Sequence, residues 1–136
     1  MSLVLESPPL AAGFLPAAGK QPFDRKAVTY CYVIVRQDLS LEQQMVQAIH
    51  AAMAATSDHG GLQSDTRLAV VAVKNQAQLL EWAGRLERQG IAFSLFQEPD
   101  HGIGPSALAT APGAYETFKA LRRLPLWKSC PDLSLG

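Results

Sequence analysis

The sequence has no excess of either charge: 12 lysines and arginines stand against 12 aspartates and glutamates in 136 residues. A protein whose main task is coating nucleic acid shows a surplus of cations, so that class is excluded, although a local basic patch is not. Long hydrophobic runs are also missing. Crossing a bilayer takes roughly 18 consecutive apolar residues, and the longest candidates are cut by Glu6, Lys20 and Asp24. No membrane partner is expected. The first 21 residues lack the basic stretch that opens a secretory signal, and Glu6 sits where positive charge belongs. Cysteine is scarce: Cys31 lies in an apolar run and Cys130 in a polar tail, far away in the chain. A disulfide is one reading. A buried inert thiol plus a tail thiol is the simpler one and points to a reducing, cytoplasmic compartment.

What is present is a globular composition, 48% hydrophobic and 18% charged. A chain of this size buries roughly 65 to 70% of its unfolded surface, enough for a core without metal or disulfide staples. Residues 1–22 carry Pro8, Pro9, Pro16 and Pro22 without sustained periodicity and read as an irregular arm. A folded domain is expected over 23–130, with a tail over 131–136.

Ala27 to Arg36 is β-branched and aromatic on both faces, as a central strand should be. Ser40 then caps a helix over about 41–57, with Gln43 completing a capping box. Leu41, Met45, Ala48, Ile49, Ala52 and Met53 form its apolar stripe, and Gln43, Gln47 and His50 lie opposite. Leu68 to Val73 reads as a second buried strand. Asn75 caps a second helix with the stripe Leu79, Trp82, Ala83, Leu86 and a stop at Gly90. Ile91 to Phe96 is a third strand, Ala107 to Ala111 a fourth, and Tyr115 to Arg123 a last helix before Pro125. This order predicts right-handed crossovers on a three-layer α/β/α fold with a four-stranded mixed sheet whose last strand runs antiparallel. Ligands then collect beyond the carboxyl ends of the parallel strands.

Two stretches, VRQDLSLEQQMVQAIHAA over 35–52 and FSLFQEPDHGIGPSALAT over 93–110, give the chain a likeness to a known family. It resembles the type 2 peptidyl-tRNA hydrolases and their small single-domain relatives, over about residues 27–128. In that family the first strand ends in a basic residue and an Asp, a Q-x-x-H-A element follows on a helix, and the loop between strands 3 and 4 holds an acid. Arg36, Asp38, Gln47, His50, Ala51 and the Glu98-Pro99-Asp100 segment match those features. The resemblance implies hydrolysis of the ester joining a peptide to the 3′ ribose of tRNA, with the tRNA 3′ end as partner and no cofactor. It also implies a Lys early in the first helix and an Asp followed by a Thr in the loop. Here the Lys position is Gln43 and the Thr position is His101, while the acid falls on Glu98 if one loop residue is deleted.

The residues themselves support several roles. His101, in a turn-rich loop with Glu98 and Asp100 before it, has the makings of a general base; otherwise it is a solvated loop residue. Glu98 and Asp100 can activate a water or grip a ribose hydroxyl, or simply form the turn. His50 either faces the strand ends or bonds a loop carbonyl. Asp38, Gln43, Gln47, Arg36 and Gly102 are candidate substrate contacts, with stabilisation of the turn before the helix as the plainer role for Asp38. Lys119, Arg122, Arg123 and Lys128, with Trp127 among them and no acid, form a local basic and aromatic segment suited to phosphates and bases; the alternative is a helix that packs Phe118, Leu121 and Leu124 and snorkels its charges. Ser106 lacks a nucleophile elbow, Gly102 and Gly104 make only a fragment of a dinucleotide fingerprint, and the three histidines lack metal-ligand spacing. Two functions are expected from different classes: an esterase on peptidyl-tRNA, or a catalytically inactive binding or scaffold protein that keeps the fold and acts as a homodimer.

Overall fold

A computed structural model describes residues 28–60 and 66–129. The expected arm, the tail and Cys130 all lie outside the described residues. The first strand, β1 (Thr29–Arg36), is buried from Cys31 onward. It pairs in parallel with β2 (Arg67–Val73) and antiparallel with β4 (Gly104–Thr110), which in turn pairs antiparallel with β3 (Phe93–Glu98). The sheet order is therefore β2-β1-β4-β3. A fifth, two-residue strand, β5 (Gly113–Ala114), pairs with Thr29 and Tyr30 of β1, so the sheet has one strand more than expected. Between β4 and β5 the ladder is interrupted, and the Thr110 hydroxyl fills the gap by accepting from the Tyr32 N–H at 3.0 Å.

Two helices cover opposite faces of the mixed sheet. α1 spans Leu41–Asp58 and α2 spans Gln76–Arg88. α2 forms as its sequence dictates: the Asn75 carboxamide accepts from Gln78 N–H at 3.0 Å, and Gly90 ends the helical run with φ +72°. Leu79, Trp82, Ala83 and Leu86 pack on Ile34, Val71, Val73 and Leu108. The expected last helix is instead two 3₁₀ turns, Tyr115–Phe118 and Ala120–Arg123. Nine residues with an aromatic and β-branched start make a marginal α-helix. Phe118 and Leu121, three apart, both enter the core at the 3₁₀ repeat of three residues per turn.

On the other face, α1 is turned by roughly one residue, about 100°, from the expected orientation. Its buried residues are Gln44, Gln47, Ala51 and Ala55, while Met45, Ile49 and Met53 face outward. The reason is steric and polar at once. Ala51 and Ala55 let the helix backbone approach Val33, Val35, Ala107 and Ala109 closely, where longer side chains do not fit. Gln44 and Gln47 supply hydrogen bonds to groups at the strand ends. Ser40 caps the helix through Gln43 N–H at 3.2 Å, but the Gln43 carboxamide oxygen accepts from Gln47 and is not spent on closing a capping box.

Cys31 is a buried free thiol that donates to the Thr110 carbonyl, and burial pushes its pKa up, so it is an inert packing residue. Beyond the 3₁₀ turns the chain runs along the outer edge of β2, with Ala72 N–H to Pro125 O at 3.0 Å and Trp127 N–H to Val70 O at 2.8 Å. Among the described residues no helix is long and apolar enough to cross a membrane, and no group of three His, Cys, Asp or Glu side chains is placed to hold a metal ion.

Candidate functional site

The carboxyl ends of β1 and β3, the start of α1 and the loop from β3 to β4 meet at one end of the sheet. A register shift opposite Phe96 and Gln97 makes Ser106 an extra residue in β4, so Ser106 and Ala107 both turn toward α1. The wholly buried Ser106 hydroxyl donates to Gln47 Oε1 at 2.6 Å. Gln47, itself 0% exposed, then donates from Nε2 to Gln43 Oε1 and to Glu98 Oε1, both at 2.9 Å. Glu98 Oε2 accepts the backbone N–H of Asp100 at 3.3 Å. Both carboxylate oxygens are thus held. The Gln47 hydrogen bond foremost, with the Asp100 N–H and the nearby His50 charge, lowers the Glu98 pKa below its ordinary value despite some desolvation. Glu98 is a fixed anion at neutral pH, better suited to orienting a water or a ribose hydroxyl than to storing a proton.

His50 stands next to this carboxylate. Its ring stacks on Phe96 with centroids 4.6 Å apart and planes 6° from parallel, which fixes the imidazole plane while leaving its edge exposed.

Arg36 and Asp38 form a second network. The guanidinium makes a bidentate pair with Asp38, Nε to Oδ1 and Nη2 to Oδ2, each at 2.9 Å. Nη1 donates to the carbonyls of Ile103 at 2.9 Å and Pro105 at 2.8 Å. The Arg36 hydrogen bonds hold the Asp38 carboxyl below its ordinary pKa. This buried guanidinium is therefore a clamp joining β1 to the loop between β3 and β4, with four of its five N–H donors engaged inside the protein. It positions Pro105 and hence Ser106, and does not present an open phosphate contact.

The loop explains His101. Ile103 N–H bonds Asp100 O at 3.2 Å, and the two central residues have positive φ, 59° at His101 and 67° at Gly102. That is a type I′-like turn, whose left-handed positions favour Gly and, among side-chain-bearing residues, Asn, Asp and His. The His101 and Asp100 side chains are exposed, and no hydrogen bond joins His101 to Glu98. Of the expected catalytic set, the fold brings Glu98 and His50 together with Gln43 and Gln47, and leaves His101 on the turn.

The basic segment is divided. Tyr115 packs at a tilt against Tyr30, and Phe118 lies against Tyr32, so Lys119, Arg122 and Arg123 sit near the start of β1, ~20 Å of strand from Arg36. Arg122 is engaged with Tyr115, donating to its carbonyl at 2.6 Å and covering its ring at 3.7 Å. Lys128 lies at the candidate site's end, where its carbonyl accepts from Gln37 at 3.1 Å. The Trp127 indole N–H donates to Gln44 Oε1 at 2.7 Å, which seats the ring beside α1.

Sequence reasoning missed three contributors. Ser106 was weighed only as a nucleophile, and its signal was the Gly-Pro-Ser opening of β4 with Gly104 at φ +65°. Gln44 gave no signal, because a glutamine reads as surface. Lys74, directly after β2 and before the Asn75 cap, is an exposed cation at the ligand-collecting end of the sheet. Comparison with protein-family models and with curated proteins finds no match.

Proposed function

We propose that the chain hydrolyses the ester joining a peptidyl or blocked aminoacyl group to the 3′ ribose of tRNA, on a fold like that of the type 2 peptidyl-tRNA hydrolases. One observation carries the reading: Glu98 is anchored by the buried Gln47–Ser106 pair beside His50, beyond the carboxyl ends of β1 and β3. Glu98 orients a water toward the ester carbonyl. The hydroxyl of that water joins the acyl carbon, the bond between the acyl carbon and the ribose 3′ oxygen breaks, and the water's proton ends on that ribose oxygen with His50 as the group placed to relay it. The acyl group is never attached to the protein, because the hydroxyl among these residues, Ser106, is buried and already bonded. Lys74 and Lys128 supply the positive charge that the neutral Gln43 and the occupied Arg36 do not, so phosphate contact is local.

The test is release of the blocked amino acid from an N-acylated aminoacyl-tRNA, with a type 2 peptidyl-tRNA hydrolase in parallel as the positive control. Release above background that falls at least tenfold in Glu98→Ala supports the reading. His101→Ala is expected to stay within a few-fold of the parent. No release while the control is active ends the claim for this substrate. Gln43→Lys then separates the alternatives: gain of hydrolysis indicates a site weakened by the missing ammonium, and no gain favours a binding protein without chemistry.

A further inference from the structure

The two edges of the sheet differ. Along β2 the returning chain from Pro125 to Trp127 occupies the outer edge, with Ala72 N–H bonded to Pro125 O and Trp127 N–H to Val70 O. On the other side the strand order ends at β3, and no strand among the described residues pairs with its outer edge. Ala111 N–H donates to Ala92 O at 2.9 Å. The alternation of an antiparallel ladder then turns the N–H and C=O of Ser94 and Phe96 toward β4 and sends those of Phe93 and Leu95 outward. Sheet edges are ordinarily blunted by charge, proline or a bulge. Phe93 to Gln97 holds no charged residue and no proline, and the extra residue of the register shift lies in β4. This edge also leads to the site: β3 ends at Glu98, and Leu95 stands ~10 Å of strand before that carboxylate. The His50 ring lies on Phe96, and Val46, one helical turn earlier, is 43% exposed. The flank of α1 that meets β3 therefore carries an exposed apolar side chain.

We propose, resting on the reading of this site as a peptidyl-ester hydrolase, that the peptide part of the substrate adds to the outer edge of β3 as a further strand. Its carboxyl-terminal acyl carbon lies at Glu98, and the residues before it run beside Leu95 and Phe93. The added strand is parallel to β3, because the ester stands at the carboxyl end of the peptide and Glu98 at the carboxyl end of the strand. Strand addition binds through main-chain hydrogen bonds, with side chains contributing only at alternate positions such as the one beside Val46. Such an edge accepts a peptide of almost any sequence, proline excepted because it lacks the N–H. A lone blocked amino acid is too short to reach Leu95 and gains nothing from it.

The full chain is assayed on two esters of one tRNA, N-acetyl-phenylalanyl and N-acetyl-trialanyl-phenylalanyl. The expected kcat/KM is about tenfold higher for the longer ester, the gain that one or two net main-chain hydrogen bonds give. Methylating one alternate set of its amide nitrogens removes that gain, and methylating the other set does not. Equal kcat/KM for the two esters, or a gain indifferent to methylation of either set, overturns strand addition and leaves the hydrolysis standing. A second measurement needs no turnover: nitrogen-15 NMR of the full chain with the same peptide joined through a stable amide to 3′-amino-3′-deoxyadenosine. The Phe93 and Leu95 amide protons are expected to shift and to gain protection from exchange, even if neither ester is cleaved and the hydrolase reading falls. Amides unmoved by millimolar analogue overturn the proposal. So do Phe93 and Leu95 amides already protected in the free chain, which would give this edge to residues 1–27 or to a second copy.

Discussion

Replacing Gln47 by Met tests the architecture of the site at its centre. The substitution keeps the volume of a wholly buried side chain and removes every polar atom. The buried Ser106 hydroxyl loses its 2.6 Å acceptor and keeps only the Phe96 carbonyl at 3.3 Å, which costs about 1–3 kcal/mol, and the lost bond to Gln43 adds about 0.5–1 kcal/mol. The expected destabilisation is thus about 1.5–4 kcal/mol. For a domain of this size that lowers Tm by roughly 6–20 °C. Urea unfolding and calorimetry measure it. Ser106→Ala removes the hydroxyl that Gln47→Met strands, so the double variant is expected to be less destabilised than the two single effects added, with a coupling of about 1 kcal/mol or more. The Glu98 carboxyl, deprived of the largest influence lowering its pKa, then titrates closer to the ordinary glutamate range in carbon-detected NMR. A Gln47→Met protein within about 0.5 kcal/mol of the parent, or strict additivity with Ser106→Ala, would refute the reasoning.

Three further expectations test the frame around the site. Thr110→Val keeps shape but leaves the buried Tyr32 N–H without its acceptor, so stability falls by about 1–3 kcal/mol, and Thr110→Ser restores most of it; equal stability of Val and Thr variants contradicts the bridge between β4 and β5. Gly113→Ala places a Cβ 2.9 Å from Phe118 Cζ, a clash with a core ring that is expected to cost about 1–3 kcal/mol, and an unchanged melting point would show that Phe118 yields freely. Asp38 has a folded-state pKa below its ordinary 3.8, chiefly through Arg36. Its contribution is present above the ordinary value and is lost as pH falls through the folded one. Because the pair is partly exposed, the effect is at most about 1 kcal/mol, and Asp38→Asn is expected to flatten the acid limb of the stability curve; superimposable limbs remove the pair from the account.

How far the sequence foretold this arrangement differs element by element. α2 was legible because its cap, stripe and stop all agree, and nothing in the tertiary structure competes with them. β1 was legible for the same reason: a strand apolar on both faces has to be central. α1 was legible as a helix but not in its orientation. Its strongest apolar stripe faces out, because Ala51 and Ala55 decide how closely the helix can approach the sheet, and periodicity weights size over fit. The same rotation hid Gln44 and buried Gln47, which a hydropathy pattern assigns to water. Glu98 was singled out through the family resemblance, with one loop residue deleted, whereas the bulge that aims Ser106 at Gln47 depends on pairing between β3 and β4 and leaves no local mark beyond Gly104 and Pro105. His101 was over-read: a histidine beside two acids suggests a base, but its backbone conformation accounts for its presence in the turn.

The central claim is that Glu98, fixed by Gln47 and Ser106, directs water at an acyl ester on tRNA. The most direct measurement compares the parent and Glu98→Gln, a substitution that keeps size and removes the charge, for release of the blocked amino acid from N-acylated aminoacyl-tRNA. The account predicts release by the parent and at least a tenfold lower kcat in the variant, with the two proteins unfolding at similar temperatures. Release at equal rates by both proteins, or by neither, would contradict it.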